Sequence, residues 1–161
     1  MAEIISNATP LIAFAKIGQL DLMRQVVDTL TVPEAVAAEI SAYTSAKPGY
    51  IFLADEPWIK VQPLQSTQQF RLLLPTLDRG EAAVIALALE RQAKLVLIDE
   101  LTGRKVAESL QLKVSGSVGL LILAKQTGKI AAIKPLLMDM RTAGIYFSQR
   151  FIDRVLLHIG E

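Results

Sequence analysis

Apolar and polar positions along the chain follow two rhythms. Short runs rich in aliphatic and β-branched residues, EIIS (3–6), TLTV (29–32), WIKVQ (58–62), LVLI (95–98) and a brief one around KVS (113–115), predict strands. Between them apolar residues recur at helical spacing. NATPLIAFAKIG places Pro10 in a first helical turn and Gly18 at its stop, QLDLMRQVV brings Leu20, Met23, Val26 and Val27 onto one face, and Pro33 opens PEAVAAEISAY. STQQFRLLLPTLDRG predicts a helix broken at Pro75, and GEAAVIALALERQ an alanine-rich helix of high propensity. LTGRKVAESLQL and SVGLLILAKQTG predict two more, the second with Ser117 as its cap, and helices near 133–143 and 148–159 close the chain. Residues 45–57 mix Pro, Gly and aromatics without a period and stay unassigned.

Strand and helix alternate five times, which predicts an α/β protein: a central, mainly parallel five-stranded sheet covered on both faces. LVLI, aliphatic throughout, is what a strand buried on both sides requires. No internal repeat, low-complexity tract or linker divides the 161 residues, a length that fits a single domain over 1–161.

Composition narrows the chemistry. With no cysteine, neither disulfides nor thiolate metal sites are available, so a reducing cytoplasm is the expected compartment and any metal would sit on oxygen. MAEIISNATP carries an acid where a signal peptide needs positive charge, and no apolar run reaches the roughly 20 residues that cross a bilayer, so no membrane association is expected. The apolar fraction of 52% and mean hydropathy of +0.38 exceed what a small lone domain needs to bury. They predict a homodimer or higher homo-oligomer, with Tyr43, Tyr50, Phe52 and Trp58 as candidate contacts. The net charge of +1 hides a polarity: residues 1–90 hold 6 basic and 10 acidic side chains, residues 91–161 hold 11 and 6. Such a split allows an acidic site beside a basic surface, and it also fits an ordinary scatter of solvated charge.

The stretch LVLIDELTG (95–103) ends an apolar run in two adjacent carboxylates. Open parallel sheets bind ligands beyond the carboxyl ends of their strands, which is where Asp99 falls and where Asn7 leaves the first strand. Glu39, on the helix after the second strand, and Glu81, in the first turn of the helix before the fourth, face the same crevice if the crossovers are right-handed. Each residue also has a purely structural explanation. Asp99 could cap the following helix with Glu100 as a first-turn acid, Glu81 could complement a helix dipole, Glu39 could be a solvated face residue, and Asn7 a turn or cap residue. Four independent caps, however, need not lie on one edge of the sheet.

Other chemistries find no support. Gly116, Gly119 and Gly128 do not form a dinucleotide fingerprint, and neither a phosphate-binding GxxxxGK[ST] nor a GxSxG is present. His158, amid VLLHIG, reads as an ordinary core or surface histidine. Lys105, Lys113, Lys125 and Lys129 without aromatic interleaving read as a solvated face.

ISNATPLIAFAKIGQLDLM, VPEAVAAEI, LDRGEAAVIALALE, LVLIDELTGRKVAESLQLKVSGSVGLLILAKQTGKI and AGIYFSQRFIDRVLLHIGE together resemble a PIN-like domain, most closely the prokaryotic subfamily related to toxin components of toxin–antitoxin pairs. They leave residues 42–76 least anchored. The resemblance implies a three-layer α/β/α sandwich and Mg²⁺- or Mn²⁺-dependent cleavage of RNA under the control of a cognate antitoxin. It puts the four acidic positions of the PIN pattern on Asn7, Glu39, Glu81 and Asp99, as metal ligands and catalytic residues. Supporting roles fall to Thr9, a small hydroxyl residue just after the first position, to Glu100, and to Arg104, which would bind phosphate or pair with an acid of the cluster. Two positions depart from the pattern: Asn7 stands where active PIN nucleases usually carry Asp, and Glu81 where Asp is commoner. An amide oxygen can ligate Mg²⁺ but brings no charge. A catalytically weakened module that binds RNA or a protein partner without cutting is therefore the alternative to an endoribonuclease.

Overall fold

The fold is described from a computed structural model covering residues 2–43 and 46–161. Its order is β1 (Ile4–Ser6), α1 (Ala8–Lys16), α2 (Leu20–Val27), β2 (Leu30–Pro33), α3 (Glu34–Ser41), β3 (Ile59–Gln62), α4 (Gln68–Leu73), α5 (Arg79–Arg91), β4 (Leu95–Leu97), α6 (Leu101–Ser109), β5 (Val114–Ser115), α7 (Ser117–Gln126), α8 (Lys134–Thr142) and α9 (Gln149–His158). The five strands form one sheet in the order β3-β2-β1-β4-β5, and every pairing is parallel.

That order locates the site. From β1 the chain moves outward through β2 to β3, and from β4 it moves the other way to β5, so the winding reverses between β1 and β4. In such sheets the crevice opens where the winding reverses, beyond the strands' carboxyl ends. The two strands are in register through Ser6 and Leu97, and the Asn7 backbone N–H donates to the Leu97 carbonyl at 3.0 Å.

The core explains the apolar content. Ile5, Val32, Val96, Leu97 and Ile98 are buried from the sheet, and α5 is buried continuously from Gly80 to Ala88. Its alanines let it lie close against β1, β2 and β4; a helix apolar on all sides belongs in an interior. Among the other helices, α1 packs with α2, α7 and α8, and α5 with α4 and α6, while α3 packs against α1 and α5 alike. That position of α3 brings its face to the sheet edge.

Local signals set the boundaries. α4 ends at Leu73, before Pro75, whose ring and missing N–H cannot continue a helix. α5 starts with a reciprocal capping box between Asp78 and Glu81 and ends at Gln92 in a left-handed conformation, φ 53°. Strand β4 pairs through Leu97, and the Ile98 N–H still donates to the Ser115 carbonyl.

Two readings of the sequence need correction. Ser117 is not the cap of α7; it is the first residue of that helix, and Gly116 occupies the cap position. Trp58 is 7% exposed and its indole N–H donates to Glu56 Oε2, so it is unavailable as a contact surface, whereas Tyr50 and Phe52 remain exposed. The unassigned region supplies Ile51 to the core and a single 3₁₀ turn at Leu53–Asp55; Thr44 and Ser45 lie outside the described residues. No helix among the described residues is long and apolar enough to cross a membrane.

Candidate active site

Asn7 occupies the N-cap position of α1 without making a side-chain cap bond. It is 4% exposed, and its Oδ1 is buried with no hydrogen-bond partner. The chain bends there from a central strand into a helix while the amide oxygen is held in the crevice. Gly80, in the first turn of α5, faces it: a methyl on Gly80 would stand 2.9 Å from Asn7 Oδ1, 3.1 Å from Glu39 Oε1 and 3.6 Å from Asp78 Oδ1. Three oxygens from three segments thus surround one spot that only a glycine leaves open.

Glu81 follows on the same turn. Its backbone N–H donates to Asp78 Oδ1 at 2.8 Å, and its Oε1 accepts from the Asp78 N–H at 3.4 Å. Its Oε2 is buried and unpartnered, lying against Gly103, where a methyl would stand 2.7 Å away. An unsatisfied buried acceptor costs about 1–3 kcal/mol, so two of them on adjoining elements call for an explanation.

Electrostatics agree. Desolvation by burial pushes the Glu81 carboxyl above the ordinary glutamate range, and the charges of Asp78 and Glu100 push it further. Glu39 is exposed as a residue, but its carboxylate leans on α5, where desolvation first and then Asp78 raise its pKa. Neighbouring carboxylates held in a partly desolvated crevice are an arrangement met at functional sites.

Asp99 sits at the other end, beyond β4. Its Oδ1 accepts from the Ser117 N–H at 2.7 Å and its Oδ2 from the Ser117 hydroxyl at 2.6 Å. It therefore caps α7 from a distance and not α6, whose N-cap is Glu100, without a side-chain bond. A methyl on Gly116 would collide with Asp99 Oδ1. Arg104 does not pair with Glu100: its Nη1 donates to the Ile98 carbonyl at 3.1 Å, and it stands beside Gly116 at the Asp99 end. Thr9 is half-buried in the first turn of α1.

The crevice thus runs from Glu39 through Asn7 and Gly80 to Glu81 and Gly103, then past Ile98 to Asp99. Among the described residues no three acidic side chains form a ready-made metal cage. The donors are nonetheless all oxygen, two of them buried and unpartnered, which suits a hard cation such as Mg²⁺ or Mn²⁺. Asp78, Gly80 and Gly103 escaped the sequence reading, and Gly116 and Ser117 were read there without a place at the site. Asp78 was signalled by its spacing of three from Glu81, and Gly80 and Gly103 by standing in helices, where glycine is costly unless room is needed.

A glycine-floored cluster of oxygens thus lies at the winding reversal of a parallel sheet flanked by helices. The family model of DUF3368, described as a PIN domain, matches residues 3–161; the chain belongs to the PIN domain family. The curated proteins contain no match to it.

Proposed function

We propose that the protein is a Mg²⁺- or Mn²⁺-dependent endoribonuclease, the toxin-like component of a type II toxin–antitoxin pair acting in the cytoplasm. The observation that carries this is the pair of buried, unpartnered oxygens, Asn7 Oδ1 and Glu81 Oε2, amid the carboxylates of Glu39, Asp78 and Glu100. An acidic crevice repels phosphate, so an RNA-cleaving role requires a cation between them. Asn7 Oδ1, Glu39 Oε1, Glu81 Oε2 and Asp99, which retains lone pairs beside its bonds to Ser117, would hold it. When bound, such an ion lowers the pKa of a water and neutralises charge on the phosphoryl group.

The chain's own residues prepare that chemistry. Asp78 ties down Glu81 Oε1 and leaves Oε2 free for the site. Ser117 fixes both oxygens of Asp99 in one orientation. Glu39, at the open end with a raised pKa, can exchange a proton with solvent at its carboxylate. Arg104 carries a guanidinium at the Asp99 end, suited to a phosphate oxygen; Glu100, whose charge Glu81 feels, and Thr9, in the first turn of α1, would take supporting roles. Tyr146, at 86%, and Leu157, at 83%, are the most exposed of the large apolar side chains among the described residues, and each would suit a contact with a second copy or an antitoxin.

The neutral Asn7 favours a second reading, a PIN module that binds RNA or protein without cutting. Purified protein incubated with structured and unstructured RNAs separates the two. A nuclease cleaves with Mg²⁺ or Mn²⁺, stops with EDTA, and loses roughly two orders of magnitude or more in rate as Glu81→Gln. RNA binding with no cleavage under any divalent ion establishes the second reading.

A further inference from the structure

Asn7 is the neutral member of the cluster, and a cation held by it would lack a charge at the centre of the crevice. Asp78 carries a charge that hydrogen-bonded capping alone does not require. Its Oδ1 caps α5 through the Glu81 N–H, but Asn and Ser cap a helix about as well as Asp. The same Oδ1 lies 3.6 Å from the point beside Gly80 that Asn7 Oδ1 and Glu39 Oε1 also face. The carboxylate is electrostatically felt by both Glu39 and Glu81, a like-charge contact that is unfavourable unless a positive ion joins them. The independent observation is Asn7 itself, 4% exposed with its Oδ1 buried: no donor among the described residues reaches that oxygen.

We propose that Asp78 belongs to the cation site and supplies negative charge beside the neutral Asn7. The inference rests on reading the crevice as a divalent-cation site. It predicts that the two positions are interchangeable as charge carriers, which a purely structural cap is not.

Calorimetric titration of the purified full chain with Mn²⁺, together with the Mn²⁺-induced shift in Tm, tests it on wild type, Asp78→Asn, Asn7→Asp and the double variant. Asp78→Asn keeps an oxygen at the cap, so its metal-free Tm stays near wild type, and Asp78→Ser provides a second cap-preserving variant. Removing the charge is expected to weaken Mn²⁺ binding roughly ten-fold, adding Asp at position 7 to tighten it, and the double variant to return toward wild type, because affinity follows ligand charge. Folded Asp78→Asn and Asp78→Ser that bind Mn²⁺ as wild type does would overturn the proposal while leaving the cation site standing. A wild-type protein that binds no Mn²⁺ would overturn the cation site and this proposal together.

Discussion

Gly80→Ala separates stability from function with the smallest chemical change available. Gly80 lies in a helical turn with no positive φ, so alanine gains up to about 1 kcal/mol in helix propensity, less at the second position of a helix than in its interior. Against this, the new methyl stands 2.9 Å from Asn7 Oδ1 and 3.1 Å from Glu39 Oε1. Glu39 is an exposed, flexible side chain and swings away cheaply. Asn7 is buried at the end of a central strand and can give only a few tenths of an ångström. The two effects oppose, and the variant's stability in urea is expected within about 1 kcal/mol of wild type. The methyl nonetheless fills the space the two oxygens share and forces them apart. A cation needs oxygens at roughly 2.0–2.6 Å, so Mn²⁺ affinity is expected to fall at least ten-fold, about 1.4 kcal/mol, with RNA cleavage falling at least as much. The assay is a Mn²⁺ titration of protein whose folding has been verified by circular dichroism. A folded Gly80→Ala protein with wild-type Mn²⁺ affinity would refute the reasoning, since a cation held by Asn7 and Glu39 cannot share that space with a methyl.

Asp99→Ala removes both acceptors from Ser117 and is expected to cost about 1 kcal/mol as a lost helix cap, with Asp99→Asn costing less; equal urea midpoints for Asp99→Ala and wild type would disprove the cap. Glu81→Gln is expected to stabilise the metal-free protein at neutral pH, because the raised pKa means that the folded state penalises the charged form. The sign follows: folded Glu81 takes up its proton before unfolded Glu81 does, so wild type gains stability as pH falls through the raised value toward the ordinary one, and the Tm gap to Glu81→Gln narrows. A gap constant with pH would show that Glu81 is not perturbed. Metal binding runs the other way, weakening on acidification as protons compete for Glu39 and Glu81.

The architecture was legible because each of its signals is local. Five aliphatic runs, helices opened by Pro10 and Pro33 and a break at Pro75 involve neighbours in sequence, and right-handed connection then leaves few arrangements of the strands. The contact between Asp99 and Ser117 spans 18 residues, and nothing in LVLIDELTG says that its carboxylate serves the helix after β5 and not its own. The burial of Trp58 was hidden for a related reason: it borders an irregular segment whose path, not its period, decides which aromatics turn inward. The capping box was readable from the three-residue spacing of Asp78 and Glu81, but its double use required the geometry, since only the packing of α3 on α5 brings Glu39 to Gly80.

The central claim is that the oxygens around Gly80 and Glu81 bind a divalent cation. Crystals of the protein soaked in Mn²⁺, with anomalous scattering recorded at the manganese edge, test it most directly. The account predicts one or two anomalous peaks in the crevice, ligated by Asn7 Oδ1, Glu81 Oε2 and a Glu39 oxygen at roughly 2.0–2.6 Å. A crevice without anomalous density at millimolar Mn²⁺, or manganese bound elsewhere with Asn7 Oδ1 and Glu81 Oε2 still unligated, would contradict it.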